Sequence, residues 1–273
     1  MEDLSARYPV WFCDIWGVIH NGVRSFAAAV DALARHRAGG GTVILVTNAP
    51  RLHASVASQL RRLGVRDDAC DGIVTSGDVT RSLISAYAGS SVYHLGPARD
   101  DGLFRGLDVS LAGLAEARAV VCTGLFDDAA EGPDDYEDTC RAMLARGLPM
   151  ICANPDKIVR RGDHIIYCSG ALAERYEAMG GQVLMAGKPY PPIYALARSE
   201  ALRIRGAEAA ILCIGDGPET DVKGAADNGF DVLLIAGGIS DHAKSAAETE
   251  REVQGAVPHA RIVRTLEALA WPA

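Results

Sequence analysis

The chain has 273 residues, room for one large domain or two modest ones, and 49% of them are apolar, which excludes an intrinsically disordered chain. Acidic residues outnumber basic ones, 35 to 27, for a net charge of −8. That balance excludes sequence-independent nucleic-acid binding, which runs on Lys and Arg neutralising phosphates, and requires a local cation for any phosphate ligand.

Four of the seven cysteines, Cys13, Cys122, Cys152 and Cys213, lie inside apolar runs, and no C-x-x-C pair occurs. They read as small buried hydrophobes in a reducing compartment. Met1-Glu2-Asp3-Leu4 has no basic start or apolar core of a signal peptide, and no apolar stretch is long enough to span a bilayer. The expectation is a cytoplasmic protein with no membrane partner.

Strand-like apolar runs alternate with helical patterns. Val10 to Cys13 is the first strand. Phe26 to Arg37 is an Ala/Leu-rich amphipathic helix closed by Gly39-Gly40-Gly41. Thr42 to Thr47 is a β-branched strand, His53 to Leu63 a helix, Gly72 to Thr75 a strand and Asp78 to Ala88 a helix. The pattern restarts with a strand at Val92 to Leu95 and an irregular, charged stretch from Pro97 to Asp108. Strands at Ala119 to Cys122 and Pro149 to Cys152 flank a helix from Asp134 to Arg146. A helix over Gly170 to Met179 and a strand over Val183 to Met185 follow. The last third reads as helix Tyr190 to Arg205, strand Ala210 to Ile214, helix Thr220 to Asn228 and strand Val232 to Ile235. Terminal helices are expected at His242 to Val253 and Thr265 to Ala270. Strand–helix–strand order implies parallel strands with right-handed crossovers. The fold class is therefore α/β: a Rossmann-like, doubly wound parallel sheet.

Four segments fall at the C-terminal edge expected of such a sheet, where ligands bind in open α/β folds. They are Asp14 after the first strand, Thr47-Asn48 after the second, Gly187-Lys188-Pro189 before a helix, and Gly215-Asp216-Gly217-Pro218-Glu219-Thr220-Asp221 after Ile211 to Ile214. A carboxylate can attack phosphorus, and loop hydroxyl, amide and N–H donors can hold phosphoryl oxygens. A lysine can offset the charge between them, and paired acids can hold Mg²⁺. Taken singly, Asn48 reads as a turn residue and Lys188 as a surface lysine, and only Asp14 and the Asp216/Asp221 pair stand out; the four in this order read as one site. Arg51, just beyond Asn48-Ala49-Pro50, is placed to reach a phosphate, whereas Tyr190 and Tyr194 read as core or rim.

In this order the chain resembles the haloacid dehalogenase superfamily of phosphotransferases. The long interval between Asn48 and Lys188, with Ala153-Asn154-Pro155-Asp156 and Gly187-Lys188-Pro189, is similar to the class IIA branch with a large α/β cap. That branch includes the nucleotide and 4-nitrophenyl phosphatases related to the N-acetylglucosamine-operon phosphatase. The resemblance implies a core of residues 1–90 and 187–273 with a cap inserted over 91–186. It implies Asp14 as nucleophile and magnesium ligand, with the main-chain carbonyl of Trp16 and the acids Asp216 and Asp221 completing the metal site. Thr47, Asn48 and Lys188 would surround the phosphoryl group, with Asn154 and Asp156 near the cap's mouth. The partner would be a small phosphorylated metabolite, and the resemblance extends to a homodimer.

One position departs from that pattern. Where the superfamily's phosphatases carry a second aspartate as general acid and base, this chain has Trp16, whose indole N–H is only a hydrogen-bond donor. Three readings follow. His20 in the same loop supplies the proton chemistry, or merely packs there. The substrates have leaving groups that need no proton. Or the protein is a weak or inactive member that binds a phosphorylated ligand or partner.

Overall fold

The structure, a computed structural model, describes residues 1–161, 164–238 and 245–272. In chain order the elements are α1 (Glu2–Arg7), β1 (Val10–Cys13), α2 (Ala27–Ala38), β2 (Thr42–Thr47), α3 (His53–Arg62), β3 (Gly72–Thr75), α4 (Ser76–Ile84), β4 (Ser90–Leu95), β5 (Val109–Leu111) and β6 (Ala119–Cys122). Then come α5 (Glu137–Ala145), β7 (Met150–Cys152), β8 (Ile158–Arg161), β9 (His164–Tyr167), α6 (Ser169–Ala178), β10 (Val183–Met185), α7 (Pro191–Arg205), β11 (Ile211–Gly215), α8 (Lys223–Asp227), β12 (Asp231–Ile235), α9 (Ala246–Ala256) and β13 (Arg261–Leu266).

Contacts divide the chain into two compact units. The first holds Met1–Thr47, Ala54–Val74 and Lys188–Ala273; the second holds Asn48–His53 and Thr75–Gly187. The first unit carries a six-stranded sheet in the order β13-β12-β11-β1-β2-β3. β1 pairs in parallel with both β2 and β11. Every residue of β1 and β2 is buried, as expected of central strands covered by helices on both faces. Chain order runs outward in one direction from β1 through β2 to β3, and in the other from β11 through β12 to β13. The reversal between β1 and β11 is the topological switch point, where such folds bind ligands. α7 starts with prolines in its first turn and ends at Gly206 in the left-handed conformation.

The second unit has its own five-stranded sheet, β10-β7-β6-β4-β5, parallel throughout. Strand alternation sends Val120, Cys122, Met150 and Cys152 to one face, with Leu172, Ala173 and Tyr176 of α6. Ala119, Val121 and Ile151 face the other way, with Ile84 of α4 and Val92. A separate antiparallel pair, β8–β9, lies in the same unit.

Several sequence expectations change here. No helix forms at Thr265 to Ala270: Thr265 and Leu266 end β13, an edge strand paired with β12 from Asp231↔Arg261 to Ile235↔Leu266 with one register shift, and 267–270 continue as a bend and irregular chain. The spacing of Leu266, Leu269 and Ala270 mimics a helix face, and only the pairing partner decides otherwise. The helix expected at Asp78 starts at Ser76, because Thr75 and Asp78 form a reciprocal capping box. The terminal helix runs Ala246–Ala256 behind a Ser245–Glu248 box, and His242, its expected start, lies outside the described residues. α1, β5, β8 and β9 carry no clear sequence signal. By compactness 75–90 joins the second unit, since Ile84 packs with Val92 and Val121, whereas the resemblance sets the cap's start at 91.

Candidate active site

Three acids and a lysine converge at the switch point of the first unit. Asp14 is the residue after β1, and its backbone N–H continues the ladder by donating to Ile214 O at 2.8 Å. Asp216 follows β11 directly, and Asp221 sits in a turn of π-helix, Pro218–Val222. Lys188 Nζ donates to Asp14 Oδ1 at 2.6 Å and to Asp221 Oδ1 at 2.7 Å. All four side chains are buried. One oxygen from each of Asp14, Asp216 and Asp221 lies within 4.8 Å of the others. Thr47, also buried, ends β2 at the same edge.

Glycines make this crowding possible. A Cβ on Gly17 would lie 2.2 Å from Asp216 Oδ2, and one on Gly238 would lie 1.9 Å from the same atom. A Cβ on Gly215 would meet Asp221 Cγ at 2.3 Å. Gly17 also has φ +82, a conformation open to glycine at no steric cost. Gly238 was not visible as a site residue in the sequence; its only signal is a Gly-Gly pair after the last central strand. Tyr194, the expected core or rim tyrosine, is buried and donates to Thr220 O at 3.4 Å, bracing the acidic turn.

The electrostatics show a deficit of positive charge. Burial pushes the Asp14 carboxyl up to about 7, with Lys188 pulling it down and Asp221 adding to the rise. Burial, then the charges of Asp14 and Asp221, hold Asp216 well above the carboxylate range. Burial alone would lower the Lys188 ammonium, but Asp14 and Asp221 outweigh it and raise it above its ordinary value. Three buried carboxylates thus gather about one ammonium. Neither oxygen of Asp216 has a hydrogen-bond partner among the described residues. Buried carboxylate oxygens without donors are costly unless a cation takes them, and an all-oxygen set of this kind suits a hard divalent ion. Asp14, Asp216 and Asp221 are the side chains able to hold one.

Gly238→Ala tests this packing. We expect the magnesium concentration that half-stabilises the protein against thermal unfolding to rise at least about tenfold, because the new methyl displaces Asp216. An unchanged magnesium response would show that Asp216 has freedom the packing denies it.

Trp16 and His20 form a folded-back loop beside Asp14. The Trp16 ring meets His20 edge to face, centroids 5.2 Å apart at 88°. A Cβ on Gly22 would lie 2.3 Å from the Trp16 ring. His20 is buried, and its Nδ1 accepts the Gly22 N–H at 2.9 Å. One ring nitrogen of His20 is therefore committed to holding the loop, and the neutral ring carries its proton on Nε2.

The remaining expected site residues gather in the second unit. Asn48 Nδ2 donates to Asp156 Oδ1 at 2.9 Å, and Asp156 N–H donates to Asn154 Oδ1 at 3.0 Å. Ser169, which the sequence did not single out, accepts the Asn154 N–H and donates to its carbonyl, both at 3.0 Å. A Cβ on Gly187 would lie 2.4 Å from Asn48 Oδ1, so two of the four ends of this unit's chain segments, Asn48 and Gly187, lie side by side. Arg51 is in the same unit, its backbone closely packed against Gly77 and its charge acting on Asp100.

A doubly wound α/β unit with a buried Asp–Lys–Asp cluster at its switch point defines a class of hydrolase, and comparison with known proteins agrees. Residues 11–110 match the haloacid dehalogenase-like hydrolase family, and residues 185–268 match the HAD-hydrolase-like family. A crystal structure of a haloacid dehalogenase-like hydrolase from Brucella suis 1330 is 48% identical, covers 99% of this chain and 98% of that one, and superposes with a TM-score of 0.88. A possible sugar phosphatase of the superfamily from Cytophaga hutchinsonii, 24% identical over 100% of this chain and 98% of its own, has a TM-score of 0.81 and the same fold. A dihydroxyacetone phosphatase from Corynebacterium glutamicum is 31% identical over 103 residues, 37% of this chain and 36% of that protein's length. The chain belongs to the haloacid dehalogenase-like hydrolases, in the class IIA group with an inserted α/β cap. Among the described residues no helix is long and apolar enough to cross a membrane.

Proposed function

We propose that this protein is a phosphatase of small phosphomonoesters, sugar phosphates among them, that works through an aspartyl-phosphate with a divalent ion, Mg²⁺, as cofactor. The observation carrying this reading is Lys188 bridging Asp14 and Asp221 beside the Asp216 carboxylate, which has no hydrogen-bond partner among the described residues. A carboxylate oxygen of Asp14 attacks phosphorus, and the P–O bond to the leaving alcohol breaks with its electron pair going to that oxygen. Water then attacks the phosphorus of the aspartyl-phosphate, releasing inorganic phosphate and restoring the carboxylate. Lys188 orients Asp14 and offsets charge as the anion approaches, while Asp221 holds the lysine in place. Thr47, Asn48 and Arg51 are the donors for the phosphoryl oxygens, and Asn154 and Asp156 fix the Asn48 amide. A bound Mg²⁺, held by Asp14, Asp216, the Trp16 carbonyl and the support of Asp221, would neutralise charge on the phosphoryl oxygens. The phosphatase names of the relatives point the same way.

Trp16 favours a second reading, a weakly active or inactive member that binds a phosphorylated ligand, because the indole transfers no proton. A screen of phosphorylated metabolites with Mg²⁺ separates the two. Phosphate release supports the enzyme; binding of phosphate analogues without any turnover sinks it. Where turnover is found, Trp16→Asp should raise the rate on alkyl phosphates by about 10²–10⁴, the usual worth of a general acid and base. The gain on 4-nitrophenyl phosphate should be far smaller, since nitrophenolate leaves without a proton. Equal gains on both would count against this account of Trp16.

A further inference from the structure

At the edge opposite the acids, a cavity of about 380 Å³ opens at the N-terminal ends of β11, β12 and β13. It lies wholly within the first unit, and the phosphoryl chemistry makes no use of it. Tyr8, Asp231 and Arg261 build its polar wall. The Tyr8 hydroxyl donates to Asp231 Oδ2 and Arg261 Nε to Asp231 Oδ1, both at 2.5 Å. Burial, then the bond to Asp231, push the Tyr8 hydroxyl up to about 12, so it stays a donor at neutral pH. Arg261 Nη2 also donates to Gly229 O at 2.7 Å. Those bonds fix the plane of the guanidinium, whose Nη1 has no partner among the described residues. Arg198 lines the same cavity with a single bond, from Nη2 to Glu208 Oε1 at 3.2 Å. Ala209, Ile211 and Phe230 add apolar lining.

Charge selects what such a cavity takes. Arg7 also reaches Asp231 Oδ2, at 3.6 Å, so three guanidiniums stand against two carboxylates, Asp231 and Glu208. One positive charge is left over, a local reversal of sign in a chain of net charge −8. A planar carboxylate matches the open N–H groups of Arg198 and Arg261. A single negative charge balances the surplus, whereas a doubly charged phosphate would overshoot it beside two acids.

The cavity wall is also joined to the supports of Asp221. The Phe230 ring meets Phe12 edge to face at 5.9 Å and Tyr194 at 6.1 Å. Tyr194 is the side chain whose hydroxyl donates to Thr220 O, next to Asp221. α8 carries the acidic turn, Pro218–Val222, at its start and the lining residues Asn228, Gly229 and Phe230 at its end. A ligand seated against Phe230 bears on both.

We propose that this cavity is an effector site for a small monocarboxylate with an apolar body, coupled to the divalent-ion site through Phe230, Tyr194 and α8. The coupling rests on the metal reading above; the binding does not.

Calorimetry with phenylacetate tests it, with unfolding midpoints recorded for each variant. One equivalent should bind metal-free protein with a dissociation constant of about 1 mM or tighter. Arg198→Ala, at a half-exposed side chain, should weaken binding at least about fivefold, and Ala209→Trp, which fills the cavity, should abolish it. Phenylacetate and Mg²⁺ should change each other's affinity by the same factor, at least about fivefold, in the wild type and not in Ala209→Trp. No saturable binding, binding that survives both variants, or displacement of phenylacetate by inorganic phosphate more readily than by benzoate would overturn the site. Binding lost in both variants without any mutual effect on Mg²⁺ would overturn the coupling. Protein that binds phenylacetate as described but no Mg²⁺ removes the metal reading and the coupling with it, and leaves the carboxylate site standing.

Discussion

Asp14→Asn should lower turnover at least about a thousandfold on every phosphomonoester that the wild type hydrolyses, measured as phosphate release under saturating Mg²⁺. The amide keeps the shape and can still accept from Lys188, but it cannot attack phosphorus. The fold should not suffer. Burial and Asp221 already disfavour the charged form of Asp14, which stands up to about 7, so neutralising it relieves repulsion among the acids. An unfolding midpoint equal to or above the wild type is therefore expected. That combination distinguishes a lost nucleophile from a damaged fold. Surviving turnover would remove Asp14 from the chemistry.

Lys188→Met should be costly in both respects. Its ammonium is the partner of Asp14 and of Asp221, at 2.6 and 2.7 Å, and all three side chains are buried. Removing one member of a buried ion pair leaves uncompensated charge, which costs about 3–5 kcal/mol. Calorimetric unfolding at neutral pH without divalent ions should show this loss, together with turnover at least about a hundredfold lower. Added Mg²⁺ should stabilise the variant more than the wild type, since the cation then answers carboxylates that the lysine no longer serves. A variant as stable as the wild type, with an ordinary Mg²⁺ response, would mean that the lysine does not compensate the acids.

The positions of the central acids were legible because they are written locally. Val10 to Cys13 is apolar throughout, which marks a strand buried on both faces, and the acid that follows must lie at its end. The same logic places Asp216 after Ile211 to Ile214. β13 was not legible. The stretch from Arg261 to Ala270 fits either period; pairing with Asp231–Ile235 settles Arg261 to Leu266 as an edge strand, and 267–270 are irregular chain. β5 is three residues long, too short for a pattern of its own. Asp78 reads as a helix residue in the sequence, while its reciprocal bond with Thr75 starts the helix two residues earlier.

The loop around Trp16 divides in the same way. The sequence states that a tryptophan stands where proton transfer is expected, and that His20 is near it in the chain. The contact between the two rings and the Gly22 N–H on His20 Nδ1 are tertiary facts. They also set the tautomer of His20: with Nδ1 accepting, the proton of the neutral ring is on Nε2.

By itself, the sequence determined the α/β class, most of the alternation of strands and helices, and the placing of Asp14 and Asp216 at strand ends on one sheet edge. Each of these follows from period, burial and residue type over a few neighbouring positions, whereas the role of Asp14 as nucleophile is what the resemblance implies. Only the tertiary structure decided that Gly17 and Gly238 make room for Asp216, that Lys188 answers both Asp14 and Asp221, and that the Asn48 amide meets Asp156. Those depend on distances between segments far apart in the chain, which side-chain periodicity does not encode.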